Sequence, residues 1–428
     1  MFKTLRNAWA IPDLRHKMLY TLLMIFIFRL GSFIPVPGLR EGALASLMAD
    51  VSGGGNNLFS MLDAFSGGAF ANATIFAMSI TPYVNSSIIM QLLSVAIPAL
   101  ERLSKEGEEG RKVIAKWTRF GTVILAFIQA TGLYFLLESY IIIPGVWGYI
   151  AITFTFTAGT AFLLWLGEQI TEKGVGNGIS IIIFAGIVAS FPTMFGNLWL
   201  AIWEFNTISW WVFALVVIFA IVMIAFVVFI TDAERRVPVQ YAKRMVGRKM
   251  YGGQSTHIPL KVAMAGVIPI IFAMSILSFP STIMQFTGTP TSGFWGKFWS
   301  FFQPTSWVYV VIYFLLIVFF TYFYTAIQFN PIEVANNMKK QGGFIPGIRP
   351  GKPTSDFINR ILNKITLAGA FFLGVVAIVP LLIGIIYPQL SGIQIGGSSL
   401  LIMVGVALET VKQIESQMLM RHYKGFLD

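Results

Sequence analysis

The chain has no cysteine, only three histidines among its 428 residues, and charged side chains at just 11% of positions. The missing cysteine excludes disulfides, thiolate metal sites and cysteine nucleophiles. His16, His257 and His422 lie in three separate polar segments with no carboxylate at ligand spacing, which argues against a metal centre. No glycine loop is followed by Lys-Ser or Lys-Thr. Gly174-Val175-Gly176-Asn177-Gly178 joins two apolar runs and reads as a tight turn that needs positive φ. The apolar runs also lack the Asp pair or Ser/His pair of an intramembrane protease, so the residues argue against an enzyme and against any cofactor.

Scarcest of all are ionisable groups inside the apolar runs, where Arg29 stands alone. Glu138, Glu168, Glu172, Glu204 and Asp232 sit at or beyond run ends, and Glu409 lies in the cytoplasmic half of the last run. Ion- and proton-coupled carriers place such groups at their sites and relays. Their absence weighs against the competing reading, a small-solute secondary transporter with broken helices. Arg29, near the outer end of its run, can snorkel or pair locally.

Apolar residues dominate what is present: 56% of the chain, with a mean hydropathy of +0.74. The class is an all-α polytopic membrane protein. Ten spans are expected near 18–37, 70–98, 117–137, 148–168, 179–197, 210–231, 262–284, 306–328, 365–387 and 399–418. Lys3, Arg6, Arg15 and Lys17 precede a first run without a small-residue cleavage motif, which therefore reads as a retained span. Of the 30 Lys and Arg residues, 27 fall in the termini and in alternate loops, and only Arg40 and Lys297 in the opposite loops. That asymmetry places both termini in the cytoplasm. Ten spans divide into two sets of five, and an odd-numbered set has its second copy inverted. The halves are expected at 1–197 and 198–428, although no residue-level similarity relates them.

Between Gly53-Gly54-Gly55 and Gly67-Gly68 lies an apolar patch too short to cross a bilayer and too apolar for a solvated loop. It reads as a re-entrant half-helix near 57–66, entering from outside and enclosed by the spans. An amphipathic surface helix is the alternative. The cytoplasmic segments 232–261 and 329–364 are long, basic and punctuated by Gly and Pro. They satisfy the orientation rule and can touch anionic lipid headgroups, but their length suits a docking platform for a large acidic partner.

Several runs carry a resemblance. Gln254-Ser255-Thr256-His257-Ile258-Pro259-Leu260-Lys261-Val262 with Ala265-Gly266-Val267-Ile268-Pro269, and Gly343-Phe344-Ile345-Pro346-Gly347-Ile348-Arg349-Pro350-Gly351, are similar to the bacterial SecY family. So are Phe28-Arg29-Leu30-Gly31 with Ile34-Pro35-Val36-Pro37-Gly38, Phe65-Ser66-Gly67-Gly68-Ala69, and Gly167-Glu168-Gln169-Ile170-Thr171 running to Gly176-Asn177-Gly178-Ile179-Ser180. They lie in order over nearly the whole chain.

The resemblance implies a protein-conducting channel subunit of the bacterial cytoplasmic membrane. Such a channel passes unfolded secretory polypeptides and releases apolar segments sideways into lipid. It implies a plug at Asn57, Leu58, Phe59, Ser60, Met61, Leu62, Asp63 and Ala64, and a pore ring at Ile80, Val84, Ile183, Ile271, Ser275 and Ile402. The i,i+4 spacing of 80/84 and of 271/275 independently puts each pair on one helix face; lipid-facing or packed stripes show the same spacing. A lateral gate would involve Asn85, Ser86, Ser87 and Gln91 facing the seventh span, and docking would use Arg248, Lys249, His257 and Arg349. The implied partners are SecE-like and SecG-like small membrane subunits, a SecA-like ATPase motor, the ribosome, signal-sequence-bearing polypeptides and anionic lipids.

Overall fold

The computed structural model describes residues 2–40, 42–46, 63, 66–203, 210–241, 244–246, 249–251, 255–287, 298, 301–303, 306–386 and 397–424. A short helix α1 (Phe2–Ala10) precedes α2 (Pro12–Gly31), the first expected span. The next four expected positions are taken by α3 (Thr81–Ala96), α5 (Glu108–Leu136), α6 (Val146–Lys173) and α7 (Gly178–Trp203), with the short α4 (Pro98–Lys105) bent sharply off α3. The last five are taken by α8 (Trp210–Asp232), α9 (Ile268–Thr287), α10 (Trp307–Gln328), α12 (Lys352–Ile386) and α13 (Gly397–Lys424). A further short helix, α11 (Pro331–Lys340), follows α10.

Helix packing repeats. In the first set α3 packs on α5, α5 on α6 and α6 on α7, while α2 touches both α6 and α7. In the second, α9 packs on α10, α10 on α12 and α12 on α13, while α8 touches both α12 and α13. Each contact of one set has its counterpart in the other. The sets meet where α9 crosses α3 and α5, and where α13 lies on α7. This is the two-half, ten-helix architecture that the span arithmetic anticipates.

Several boundaries depart from expectation, among them the first span, at Pro12–Gly31 instead of 18–37, and the third, which starts at Glu108 instead of 117. The run beginning at 70 does not become helical until Thr81, because Pro82 falls in the first helical turn. Proline lacks an N–H and clashes with a preceding turn, so it starts this helix instead of interrupting it. Residues 67–80 form consecutive turns, with Ala73 (φ 48°) and Ser79 (φ 51°) left-handed. Irregular backbone at membrane depth must be enclosed by protein. Here Val36 N–H donates to Ala73 O at 3.0 Å and Ile75 N–H to Ile34 O at 3.0 Å. The seventh span begins at Ile268, after turns over 262–267. The ninth, expected from 365, starts already at Lys352.

The segments between spans six and seven and between eight and nine fold together. Strand β1 (Glu234–Tyr241) pairs antiparallel with β4 (Ser255–Lys261), and β2 (Arg244–Val246) with β3 (Lys249–Tyr251). β5 (Gly343–Phe344) joins the other edge of β1 through Gln240↔Phe344 and Tyr241↔Gly343. Pro238 lies beyond the reach of β5, where a missing N–H costs no ladder bond. Val237, Val239, Leu260, Met338, Ile345 and Ile358 form the buried core of this module.

Candidate functional site

Where the two helix sets meet, their β-branched side chains form one apolar knot. Ile80 at the start of α3, Ile183 on α7 and Ile402 on α13 are 2%, 9% and 1% exposed and share a cluster with Ile181, Ile182, Ile187 and Val406. Val84 and Ile271 pack against it, half-buried. Ile80 O accepts Val84 N–H at 3.0 Å, so these two residues stack one turn apart. Branching at Cβ limits each side chain to few rotamers, which suits a wall that must hold its shape. Five of the six expected ring positions thus come together from four helices. Ser275, one turn beyond Ile271 on α9, is buried and lines a neighbouring cavity.

That cavity, about 410 Å³, opens between α3 and α9. Asn85 and Ile88 line one wall, and Ser275, Ile276 and Phe279 the other. Of the four residues expected to face the seventh span, Asn85 does so. Ser86 does not: its hydroxyl donates to Thr118 O on α5 at 2.8 Å, and Gly121 beside it leaves no side chain in the way. A serine in an apolar interior must find a carbonyl, and α5 offers one. Ser87 and Gln91 bond to each other across a turn, Nε2 to Oγ, at 3.3 Å.

Of the expected plug, Asn57, Leu58, Phe59, Ser60, Met61, Leu62 and Ala64 lie outside the described residues. Asp63 and the neck that follows are described. Asp63 Oδ1 accepts from Ala71 N–H at 2.7 Å, and its carbonyl accepts from Gly68 N–H and from the Ser66 hydroxyl, each at 3.0 Å. Gly67 (φ +67°) rests on α7; an added Cβ would stand 3.0 Å from Gly186 O and 3.3 Å from Ala189 Cβ. Both the backbone angle and the space demand glycine. Arg29 donates to Gly67 O at 2.7 Å and holds its guanidinium 4.7 Å from the Phe33 ring centroid. The sequence marks Arg29 as unusual; its acceptor, 38 positions away, carries no sequence signal.

On the strand-bearing module Arg349 and His257 are exposed, His257 opposite Pro238 in the ladder. Thr354 donates to Arg349 O at 2.8 Å and fixes the backbone of the motif. Gly343 is compelled by packing, since a Cβ would meet Met338 Cγ and Tyr241 Cε1 at 2.9 Å. Lys249 lies on β3, and Arg248 lies outside the described residues. Sequence reasoning treats the two basic loops separately; the two-residue β5 that joins them is too short to leave a pattern.

Membrane-length helices in two like-packed sets, with an apolar knot at their junction and a seam beside it, define a multi-pass membrane protein of the channel class. The SecY family's sequence model matches residues 74–411. The protein translocase subunit SecY of Halalkalibacterium halodurans is 48% identical over 438 residues, covering 100% of both chains. That of Bacillus subtilis is 47% identical over 445, again covering 100% of each. The chain belongs to the SecY family. Among solved structures, one described as a protein conducting channel superposes with a TM-score of 0.64 at 17% identity, covering 95% of this chain and 93% of its own. Sec61 in the canine ribosome–channel complex from the endoplasmic reticulum gives 0.61 at 16%, with the same coverage. At such identities these two share the fold.

Proposed function

We propose that this chain is the protein-conducting subunit of a bacterial translocase, and that the knot of Ile80, Val84, Ile183, Ile271 and Ile402 is its seal. One observation carries the reading: buried isoleucines from both helix sets converge in a single apolar cluster, and such a constriction would exclude water and ions. Apolar walls yield to an extended polypeptide without selecting its sequence. The α3–α9 seam supplies the sideways exit, with Asn85 and Ser275 as polar lining and Ile88, Ile276 and Phe279 as the surface an apolar segment would slide across. Partition between pore and lipid then sorts segments by hydropathy.

The halves 1–197 and 198–428 would act as two shells around this line, with the plug of 57–64 beneath the seal. The basic module carrying Arg248, Lys249, His257 and Arg349 would face the cytoplasm, with both termini. There it would meet a SecA-like motor or a ribosome, which supplies the driving energy. SecE-like and SecG-like helices would cover the outer faces, and anionic lipids the basic rim.

The test is current through single channels in planar bilayers, normalised to folded protein. Ile402→Asn and Ile183→Asn should raise resting ion conductance by roughly tenfold, because a polar group wets the constriction. Deleting 57–64 as well should raise it further. Poorly folded, silent variants would make these residues packing groups and overturn the seal.

A further inference from the structure

Arg29 lies two residues from the end of α2, half-buried, and no carboxylate pairs with it among the described residues. A guanidinium cannot shed its proton, so at membrane depth it must be given acceptors. Its described contacts are the Gly67 carbonyl at 2.7 Å and the face of Phe33 at 4.7 Å. The first is a backbone atom, and its position is set by two independent constraints. Gly67 is pressed onto α7 with no room for a Cβ, and the Asp63 and Ser66 hydrogen bonds to Gly68, Ala71 and Phe70 wrap the neck on the other side.

We infer that Arg29 is a positioning residue that latches the neck at Ser66–Gly68 to the first span, and so sets how readily the channel opens. The inference rests on the channel reading above. While the neck is seated, the cation has its acceptor. If the neck leaves α7, Gly67 O moves away and, among the described residues, the guanidinium is left facing Phe33. That penalty falls on the open arrangement alone and therefore biases the resting one. Arginine suits the task because its planar fork reaches a carbonyl and stacks on a ring at once; lysine offers a flexible point charge. Phe33, 65% exposed, completes the stack from the outer side.

The absence of cysteine makes a direct readout possible. Ser66 is 1% exposed, and Ser66→Cys is close to isosteric, so a thiol there should react slowly with a water-soluble maleimide while the neck is seated. Adding Arg29→Gln should speed that labelling about tenfold, the equilibrium change associated with losing one charge-assisted hydrogen bond. Arg29→Lys should fall between the two, and Phe33→Leu should shift it by a smaller factor in the same direction. In proteoliposomes, Arg29→Gln should also admit substrates with impaired signal sequences. Unchanged labelling in folded Arg29→Gln protein overturns the latch. If that variant does not fold, unchanged labelling in both Arg29→Lys and Phe33→Leu overturns it equally. Unaltered channels carrying a normal signal-bearing substrate serve as control: failure there refutes the channel reading, whereas normal transport with no variant effect refutes only the latch.

Discussion

Helices α5 and α10 hold the same place in the two sets and fill it in opposite ways. The buried stripe of α5 is Thr118, Thr122, Ala126 and Ala130, at i,i+4 spacing throughout. That of α10 begins with Tyr309, Tyr313, Ile317 and Phe320 and continues to Thr321 and Thr325. In the first half small residues let backbones approach, the usual device where lipid removes the hydrophobic drive between helices. In the second, large rings occupy the gap, with Phe272 and Phe320 edge to face at 5.7 Å between centroids. The contact pattern is common to both halves, so it does not depend on side-chain volume. What differs is tolerance. A backbone neighbour cannot move aside; a ring can turn.

The counterpart helices α6 and α12 offer the sharpest test. A Cβ on Gly159 would stand 1.9 Å from Ile75 O, a backbone atom of the irregular segment. One on Gly374 would meet the Phe314 ring at 2.5 Å. Gly159→Ala should therefore destabilise by more than about 3 kcal/mol and largely remove folded protein from the membrane. Gly374→Ala should cost about 1–3 kcal/mol and leave a folded channel, as overpacking against a movable side chain does. Thermal melting in detergent separates the two. Equal tolerance at both sites would break the comparison.

A second difference is that, among the described residues, the strand-bearing module belongs to the second set of helices alone. Arg349→Glu should weaken binding of a motor or ribosome by roughly tenfold, with helix packing and melting unchanged. The wild-type affinity should fall as salt rises, as expected of an exposed charge. Binding assays at two salt concentrations check both. If substitution of the first half's basic residues Arg111 and Lys112 had the larger effect, docking would have to be moved there.

The smallest effect is expected at two exposed ion pairs that join non-equivalent helices of the two sets, Arg119–Glu168 between α5 and α6 and Lys412–Asp232 between α13 and α8. The basic partners are 55% and 41% exposed, so screening is strong. Arg119→Gln and Lys412→Gln should each change stability by less than about 1 kcal/mol. A clearly larger loss from one of them in melting experiments would show that its pair is more than a screened surface contact.

Much of the fold was open to reading along the chain. Long apolar runs, the partition of Lys and Arg, and the odd-numbered halves determined the class, the span count and the inversion, because each depends on composition over a window. One residue could also be read where chemistry leaves one use: Gly176, at φ +85°, had to turn. Arg29 was marked as unusual by its setting, a residue that could snorkel or pair locally. Tertiary structure alone decided which partner, and it decided most side-chain directions. Ser86 turned to Thr118 instead of the seventh span, Ser275 lines the seam, and β5 joined two loops about a hundred positions apart in the chain. The physical reason is that lipid and protein interior are both apolar. A span's sequence says that a face avoids water, and only the neighbouring helices say whether that face meets lipid, the pore or another chain segment.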